Sequence, residues 1–311
     1  MTRKKILVVY GIVLLLIIIG LFGYLVFGFR SPYLPDWRHG AVKSQIIDFV
    51  HDVSNPNSRH FVPQAKRIAV LDLDGTIMCE KPNYAIVTFS RQQFAKEVKT
   101  KQKSPKFDQN NDYQVELFAF EGMTAHEYTK AAYKFLTEYK VPRFNKPYVK
   151  LLYKPMLNLI LFLQDNGFNV YIVTGDDPDF LRAVCSKYLH VAKDHVIGSR
   201  VSLIFKSKDG EVYFVRQPMN LIPINDRSGK PENIAMQIGV KPIFAVGNSN
   251  GDIGMLHMTA SNKLPHLVLV IKHDDAKREY KYDGKSKILH KIAKHDGWSI
   301  VSMKNDFETI F

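Results

Sequence analysis

Cysteine is scarce in this chain. Its 311 residues include only two cysteines, Cys79 and Cys185. Two thiols are too few for a disulfide framework or for a cysteine-based zinc site. Small disulfide-stabilised folds and zinc-finger classes are therefore excluded, while the sequence leaves open whether the two thiols pair.

The chain also lacks the signals of a nucleic-acid-binding protein. No basic stripe alternates with stacking aromatic residues, and no nucleic-acid-binding motif is present. The formal net charge is nevertheless +13. A positive surface favours anionic substrates, anionic membranes or nucleic acid. Without a motif, we interpret the excess as ordinary solubility charge and predict no nucleic-acid partner.

Low hydrophobicity and extreme charge density, the marks of intrinsic disorder, are missing as well. Hydrophobic residues make up 46% of the sequence and charged residues 23%, as in globular proteins. The length allows one large domain or two ordinary ones, with a substantial core.

Charge is absent from the stretch between Ile6 and Phe29, which follows Arg3-Lys4-Lys5. As a helix, this run is about 36 Å long, enough to span a bilayer core. The basic cluster predicts a cytoplasmic N-terminus, with the chain after Arg30 on the extracytoplasmic, periplasmic side of the cell membrane. We therefore predict that residues 1–30 form a cytoplasmic tip and a single-pass anchor. The alternative is a cleaved signal peptide and a secreted or periplasmic protein.

The most informative stretch begins at Ile68. Ile68-Ala69-Val70-Leu71 is an apolar run typical of a buried parallel strand, and Asp72-Leu73-Asp74-Gly75-Thr76 follows it. Alternation along a strand directs Asp72 and Asp74 to the same side. Open α/β sheets bind ligands at the carboxyl ends of their strands. Two carboxylates there suit a divalent cation and a nucleophile.

Two further apolar runs end in small and polar residues. Asn169–Val173 is followed by Thr174-Gly175, and Pro242–Val246 by a segment that ends at Asp252. Between them, Gly229-Lys230-Pro231 opens a helix. Strands and helices alternate in this way along the chain, which predicts an α/β fold with a doubly wound, mostly parallel sheet.

One segment interrupts that alternation. From about Glu80 to Asn145 the periodicity is helical, and Thr124-x-x-Glu127 is a capping box. We interpret this segment as an inserted helical cap. The predicted organisation is an anchor at 1–30, a linker and packing helix at 31–66, a core at 67–79 and 150–311, and the cap at 80–149.

The order of these motifs closely resembles the haloacid dehalogenase superfamily of aspartate-nucleophile phosphatases. The resemblance covers roughly Ile68 to the C-terminus, and the cap after the first motif is similar to the phosphoserine-phosphatase-like branch. It rests on D-x-D-G-T at Asp72 to Thr76, the strand-terminal Thr174, G-K-P around Lys230, and G-N-S-N-G-D at Gly247 to Asp252.

The resemblance implies a role for each motif. Asp72 would attack phosphorus, and Asp74 would first protonate the leaving oxygen and then activate water. Mg²⁺ would bind Asp72, the main-chain carbonyl of Asp74, and Asp252. The resemblance further implies that Thr174, Gly175 and Lys230 hold the substrate phosphate, with Thr76 and Asn248 in support.

Three of these residues also have a purely structural interpretation. Thr174 could cap the turn that follows it, Lys230 could be a surface lysine, and Asp252 could be a helix N-cap.

Asn248 departs from the pattern of the family, because many relatives carry an aspartate there, and an amide is a weaker magnesium ligand. Glu80 could contact substrate. The other polar residues near strand ends are expected to be loop and cap residues: Asp176, Asp177, His273, Asp274 and Asp275.

The sequence thus predicts a membrane-anchored, magnesium-dependent phosphomonoesterase that acts on a small phosphorylated substrate. One alternative is a non-catalytic, membrane-tethered phosphate-binding or interaction protein on the same fold, favoured only by Asn248. Another is a phosphotransferase, in which an alcohol replaces water in the second step. Substrate identity and oligomeric state are not encoded in any motif that we find.

Overall fold

The structure is a computed structural model that describes residues 33–101 and 107–311. Within those ranges, no helix combines the length and the apolar character needed to cross a bilayer. The anchor predicted at residues 1–30 lies outside the described residues.

The described residues contain ten strands, six of which form one parallel sheet in the order β10-β9-β8-β1-β4-β5. This confirms the predicted α/β class and the parallel core. The ten strands are β1 Ile68–Leu71, β2 Lys140–Val141, β3 Lys146–Pro147, β4 Asn169–Val173, β5 Val196–Ile197, β6 Val201–Lys208, β7 Glu211–Asn220, β8 Phe244–Gly247, β9 Leu267–Lys272 and β10 Ser299–Ser302.

Eleven α-helices occur in the described ranges, together with short 3₁₀ turns. They are α1 Ala41–Ser54, α2 Ala85–Lys101, α3 Asp112–Ala119, α4 Ala125–Glu138, α5 Lys154–Asp165, α6 Pro178–Arg182, α7 Cys185–Tyr188, α8 Gly229–Ile238, α9 Ile253–Ala260, α10 Lys287–His295 and α11 Met303–Asp306.

The sheet is covered on both faces. Along β1, Ala69 and Leu71 belong to one hydrophobic cluster, and Ile68 and Val70 belong to another. Alternate side chains of a strand point to opposite faces, so each face of the sheet has its own buried core. Apolar residues on both faces explain why this strand is a continuous apolar run in the sequence.

The packing helix expected before the first strand is α1. Ile46, Val50 and Val53 are its fully buried apolar residues, and they recur at the spacing of one helix face. Cys79 and Cys185 are both buried and free, so the two thiols do not form a disulfide.

The segment predicted as the cap, residues 80–149, contains α2, α3, α4 and the two-stranded β2–β3 pair. At the start of α4, Thr124 and Glu127 form the reciprocal capping box that the sequence predicts. The short antiparallel pair was not anticipated, because two-residue strands leave no periodic signal.

The β6–β7 hairpin turns at Asp209 and Gly210, both with positive φ, as in the tight hairpin turns that favour Asp-Gly. Its second strand forms hydrogen bonds with the segment predicted as the cap. The Arg216 amide donates to the Met123 carbonyl, and the Gly122 amide donates to the Arg216 carbonyl. The Arg216 side chain forms a buried ion pair with Asp177 at 2.5 Å, so the segment predicted as the cap, the hairpin and the loop after β4 meet at one residue.

Candidate active site

A cavity of about 440 Å³ lies at the carboxyl ends of β1, β4 and β8. This volume is typical of small-molecule sites. Five residues predicted for the site line it, namely Asp72, Asp74, Gly175, Lys230 and Asp252, and Glu80 lines it as well. The remaining lining residues are Tyr84, Asp176, Asp226, Arg227, Ser249, Asn250, Gly251 and Lys285.

Lys230 is the centre of this arrangement. Its Nζ donates to Asp72 Oδ1 at 2.5 Å, to Asp252 Oδ1 at 2.7 Å and to the Val173 carbonyl at 2.8 Å. An ammonium group has three donors, and here each has an acceptor. Lys230 is buried, together with both carboxylates. The interpretation of Lys230 as a surface lysine is therefore wrong.

The position of Lys230 follows from the start of α8. Gly229 begins this helix, and a Cβ at residue 229 would lie 1.7 Å from the Ile224 carbonyl oxygen. Only glycine allows this close approach of two backbone segments. The helix start is thereby held against the loop that precedes it, with the Lys230 side chain directed between Asp72 and Asp252.

Asp72 is held through both of its oxygens. Thr76 Oγ1 donates to Asp72 Oδ2 at 3.1 Å, while Lys230 occupies Oδ1. Burial raises the pKa of Asp72 to about 7, and the charge of Asp252 adds to this rise. Lys230 acts in the opposite direction, because a neighbouring cation favours the ionised carboxylate.

Asp74 has a different environment. Burial raises the pKa of its carboxyl well above the usual value, and Asp176, Asp72 and Glu80 raise it further. Its Oδ1 is buried and has no hydrogen-bond partner among the described residues. The two aspartates of the first motif thus differ, since Lys230 favours the ionised form of Asp72 and neighbouring carboxylates favour the protonated form of Asp74.

Asp252 closes the loop after β8. Its Oδ2 accepts hydrogen bonds from the backbone amides of Asn248 and Ser249, each at 2.9 Å. Its Oδ1 faces Lys230. Asp252 precedes α9, but its side chain makes no capping hydrogen bond to that helix. Its Oδ2 instead belongs to the capping box of the short 3₁₀ turn Asn250–Asp252, whose N-cap is Ser249.

Thr174 lies beside the cavity rather than on its surface. The side chain is fully buried, and its hydroxyl accepts from the Asp176 amide at 3.1 Å. This contact is the turn cap that the sequence left open as an alternative. Thr76 and Asn248 are also buried and absent from the lining.

Several residues that line the cavity were not predicted from the sequence as site residues. Asp176 was expected to be a loop residue, yet it lies in the cavity and perturbs Asp74. Tyr84 and Lys285 meet across the cavity, with Lys285 Nζ donating to the Tyr84 hydroxyl at 3.0 Å. Asp176 lies three residues beyond the end of β4, and this position after a strand is the sequence feature that could have indicated its place in the site. Tyr84 and Lys285 carry no motif.

The donor atoms can be tested against a magnesium ion. Within residues 33–101 and 107–311, no group of three His, Cys, Asp or Glu side chains is arranged to hold a metal. The predicted magnesium site requires only two such side chains, Asp72 and Asp252, with the main-chain carbonyl of Asp74 as the third donor. All three donors are oxygen atoms, which Mg²⁺ prefers. The buried, unpartnered Oδ1 atoms of Asp74 and Asn248 leave oxygen acceptors in the same region. The donor chemistry therefore fits.

The chain is similar to a known protein family. A family model described as haloacid dehalogenase-like hydrolase matches residues 69–257, which is more than half of the chain. The search of curated proteins found no match.

The solved structures that are similar to this chain have low sequence identity to it. A conserved protein of unknown function from Anaerococcus prevotii DSM 20548 is 16% identical, with 86% of this chain and 94% of that chain covered and a TM-score of 0.56. A protein of unknown function from Bordetella pertussis Tohama I is 14% identical, with 76% and 98% covered and a TM-score of 0.47. A phosphoserine phosphatase, as a phospho-aspartyl intermediate analogue, is 17% identical, with 78% and 95% covered and a TM-score of 0.40. The first of these structures shows a shared fold.

The buried charge of Asp72 predicts a pH-dependent stability difference. In the metal-free protein, the pKa of Asp72 rises from 3.8 to about 7 on folding. The folded state thus holds a proton that the unfolded chain releases, so rising pH destabilises the fold between those values. Asp72→Asn removes this effect. Between pH 5 and pH 7.5, we expect the unfolding free energy of Asp72→Asn to rise relative to that of the wild type by about 2.5 kcal/mol.

Urea unfolding in EDTA at both pH values measures this difference. Asp226→Asn is the matched control, because Asp226 lines the same cavity but its side chain is 58% exposed. A difference between Asp72→Asn and wild type that does not change with pH would contradict the assignment of a raised Asp72 pKa.

Proposed function

Because the chain belongs to the haloacid dehalogenase-like hydrolases, we propose that it is a magnesium-dependent phosphomonoesterase that acts on a small phosphorylated molecule. The observation that carries the proposal is the placement of Asp72 and Asp74 in one cavity, with Lys230 bound to the first and not to the second. One carboxyl group is thereby favoured as a nucleophile and the other as an acid.

Asp72 performs the first displacement. Thr76 and Lys230 fix its carboxylate at the cavity, so an oxygen is oriented toward an entering phosphoryl group. Attack on phosphorus forms an aspartyl-phosphate and breaks the bond to the leaving oxygen. Asp74 gives its proton to that oxygen, which departs as an alcohol.

Asp74 also serves the second displacement. As a carboxylate it accepts a proton from water, whose oxygen attacks phosphorus, releases inorganic phosphate and restores Asp72. The raised pKa of Asp74 supports both roles, since the group must hold a proton near neutral pH and must also accept one. Lys230, Gly175 and Thr174 lie at or beside the cavity, where the phosphate oxygens would be held.

Magnesium would be held by Asp72, Asp252 and the Asp74 carbonyl, and it would neutralise the repulsion between the attacking carboxylate and the phosphate. Lys230 alone already serves two buried carboxylates. Its single positive charge is therefore already balanced by these carboxylates and does not neutralise a doubly charged phosphate. This is the physical reason to expect a further cation.

We also propose that residues 1–30 anchor the protein, with the catalytic body on the extracytoplasmic side. Tyr33, the first described residue, packs against Phe162 near the end of α5 and against His51 near the end of α1. Helix α5 runs toward the start of β4, so Tyr33 lies at the edge opposite the cavity. A membrane at the N-terminal side would leave the cavity open to solvent.

The nucleophile assignment predicts a specific loss of turnover. Wild-type protein with Mg²⁺ should release phosphate from p-nitrophenyl phosphate, and Asp72→Asn should reduce the rate by about 10³-fold or more, because an amide cannot form the intermediate. Asp226→Asn, which changes another carboxylate of the same cavity, should stay within about threefold.

The same assay separates the alternatives when glycerol is added. Equal amounts of p-nitrophenol and phosphate indicate hydrolysis, whereas less phosphate than p-nitrophenol indicates phosphoryl transfer to the alcohol. Folded wild-type protein without turnover, across pH and divalent metals, would favour the non-catalytic binding protein.

The metal assignment predicts a shift in stability that needs no substrate. Ligands that bind only the folded state stabilise it, so Mg²⁺ should raise the Tm of EDTA-treated wild type. In Asp252→Asn the same shift should require about tenfold more Mg²⁺, since a charged oxygen donor is lost. Asp296→Asn, a carboxylate change outside the cavity lining, should respond like wild type. Equal Mg²⁺ responses in Asp252→Asn and wild type would remove Asp252 from the metal site.

The anchor assignment predicts membrane association through residues 1–30. The full chain should remain in the membrane pellet after alkaline carbonate extraction, and a chain that starts at Ser31 should be soluble, because the apolar run is missing. N-terminal sequencing of the mature protein distinguishes a retained anchor from a cleaved signal peptide. Release of the full chain by carbonate would contradict the anchor.

A further inference from the structure

A buried histidine contacts the loop that carries both aspartates. His273 follows β9 directly and is 4% exposed. Its Nε2 donates to the Gly75 carbonyl at 2.7 Å, across 198 positions of the chain. Gly75 is the residue after Asp74, yet His273 is not among the residues that line the cavity.

The orientation of the His273 ring is fixed from two further sides. Nδ1 lies 3.3 Å from Glu279 Oε2, and the ring stacks on Tyr282 with centroids 4.2 Å apart. Glu279 is fully buried and accepts from the Tyr153 hydroxyl at 3.1 Å and from the Cys79 thiol at 3.2 Å. A carboxylate surrounded by donors is held in place, and it holds the histidine in turn.

The loop has little room to move at the contact. Gly75 has φ +76°, and a Cβ there would lie 1.9 Å from Asn248 Nδ2 and 3.1 Å from Glu80 Cδ. The Asn248 amide is also 3.4 Å from His273 Nε2. Gly75, Asn248 and His273 therefore form one packed contact behind the cavity.

The Gly75 carbonyl matters because of its position between two functional groups. Its peptide unit joins Gly75 to Thr76, whose hydroxyl donates to Asp72. On the other side lies Asp74. A hydrogen bond that fixes this carbonyl thus restrains both the orientation of the nucleophile and the backbone that carries the acid.

We propose that His273, held by Glu279, is a positioning residue for the loop Asp72 to Thr76. It acts through the hydrogen bond from Nε2 to the Gly75 carbonyl and does not touch the substrate. The inference rests on the proposed function, because the effect of His273 is measured as the rate of the reaction that residues of this loop catalyse.

Two amide substitutions separate the two nitrogens of His273. The amide of His273→Gln can reach the position of Nε2 and donate to the Gly75 carbonyl, whereas the amide of His273→Asn reaches only the position of Nδ1, next to Glu279. We expect His273→Gln to keep kcat for p-nitrophenyl phosphate within about threefold. His273→Asn and His273→Ala should lower kcat by about 10- to 100-fold with little change in KM, as misplacement of reacting groups by about 1 Å does.

The chain offers a matched control. His195 also stacks on a tyrosine, Tyr171, with centroids 4.2 Å apart, and its Nδ1 lies 3.0 Å from the Val170 carbonyl. It contacts β4 outside the cavity lining. His195→Gln and His195→Asn should leave kcat unchanged. Thermal unfolding of every variant shows whether a lower kcat coincides with a lost fold.

The outcomes distinguish this inference from the proposed function. If wild type turns over and His273→Gln and His273→Asn lose kcat equally, or lose none, the positioning role is overturned. If wild type does not turn over, the proposed function fails, and calorimetry of beryllium fluoride binding with Mg²⁺ provides the second readout. Weaker binding in His273→Asn than in His273→Gln supports positioning of the loop, and equal binding overturns it.

Discussion

The site depends on one ammonium group held between two buried carboxylates. Isolated buried charges are costly, and two like charges in one place are more so. Lys230 offsets part of that cost through its hydrogen bonds to Asp72 and Asp252, and its third donor is satisfied by the Val173 carbonyl. These four residues come from the ends of β1 and β4, from the loop between β8 and α9, and from the start of α8. A change in any of these segments therefore alters the electrostatic balance of the whole site.

The sequence predicted those elements whose cause is local. The alternation predicted from Ile68 onward puts Asp72 and Asp74 on one side, and both line the cavity although β1 ends at Leu71. Gly229 before Lys230 marks the start of a helix. Parallel strands end at a common edge, so residues that follow different strands meet there without any pairwise signal. The Thr124 capping box was predictable because its signal lies within four consecutive residues.

The sequence could not predict contacts made by side chains from distant segments. The bond from His273 to Gly75 and the bond from Lys285 to Tyr84 join residues about 200 positions apart. Neither has a spacing or a periodicity. Asp176 was underestimated because a polar residue after a strand is usually a loop residue, and only burial shows that it shares a space with Asp74. The hydroxyl of Thr174, by contrast, forms the local turn contact that was weighed as the simpler alternative.

Two adjacent aspartates after β4 connect the cavity to the cap. Asp176 lines the cavity and raises the pKa of Asp74, while Asp177 points away and pairs with Arg216. The Arg216 guanidinium lies 3.7 Å from the centre of the Tyr128 ring on α4. Removing one partner of a buried ion pair strongly destabilises the fold. The ion pair therefore holds the hairpin and the segment predicted as the cap to the loop whose Asp176 raises the pKa of Asp74. The pKa of Asp74 therefore depends on the first motif and also on Asp176, whose neighbour Asp177 is held by the hairpin.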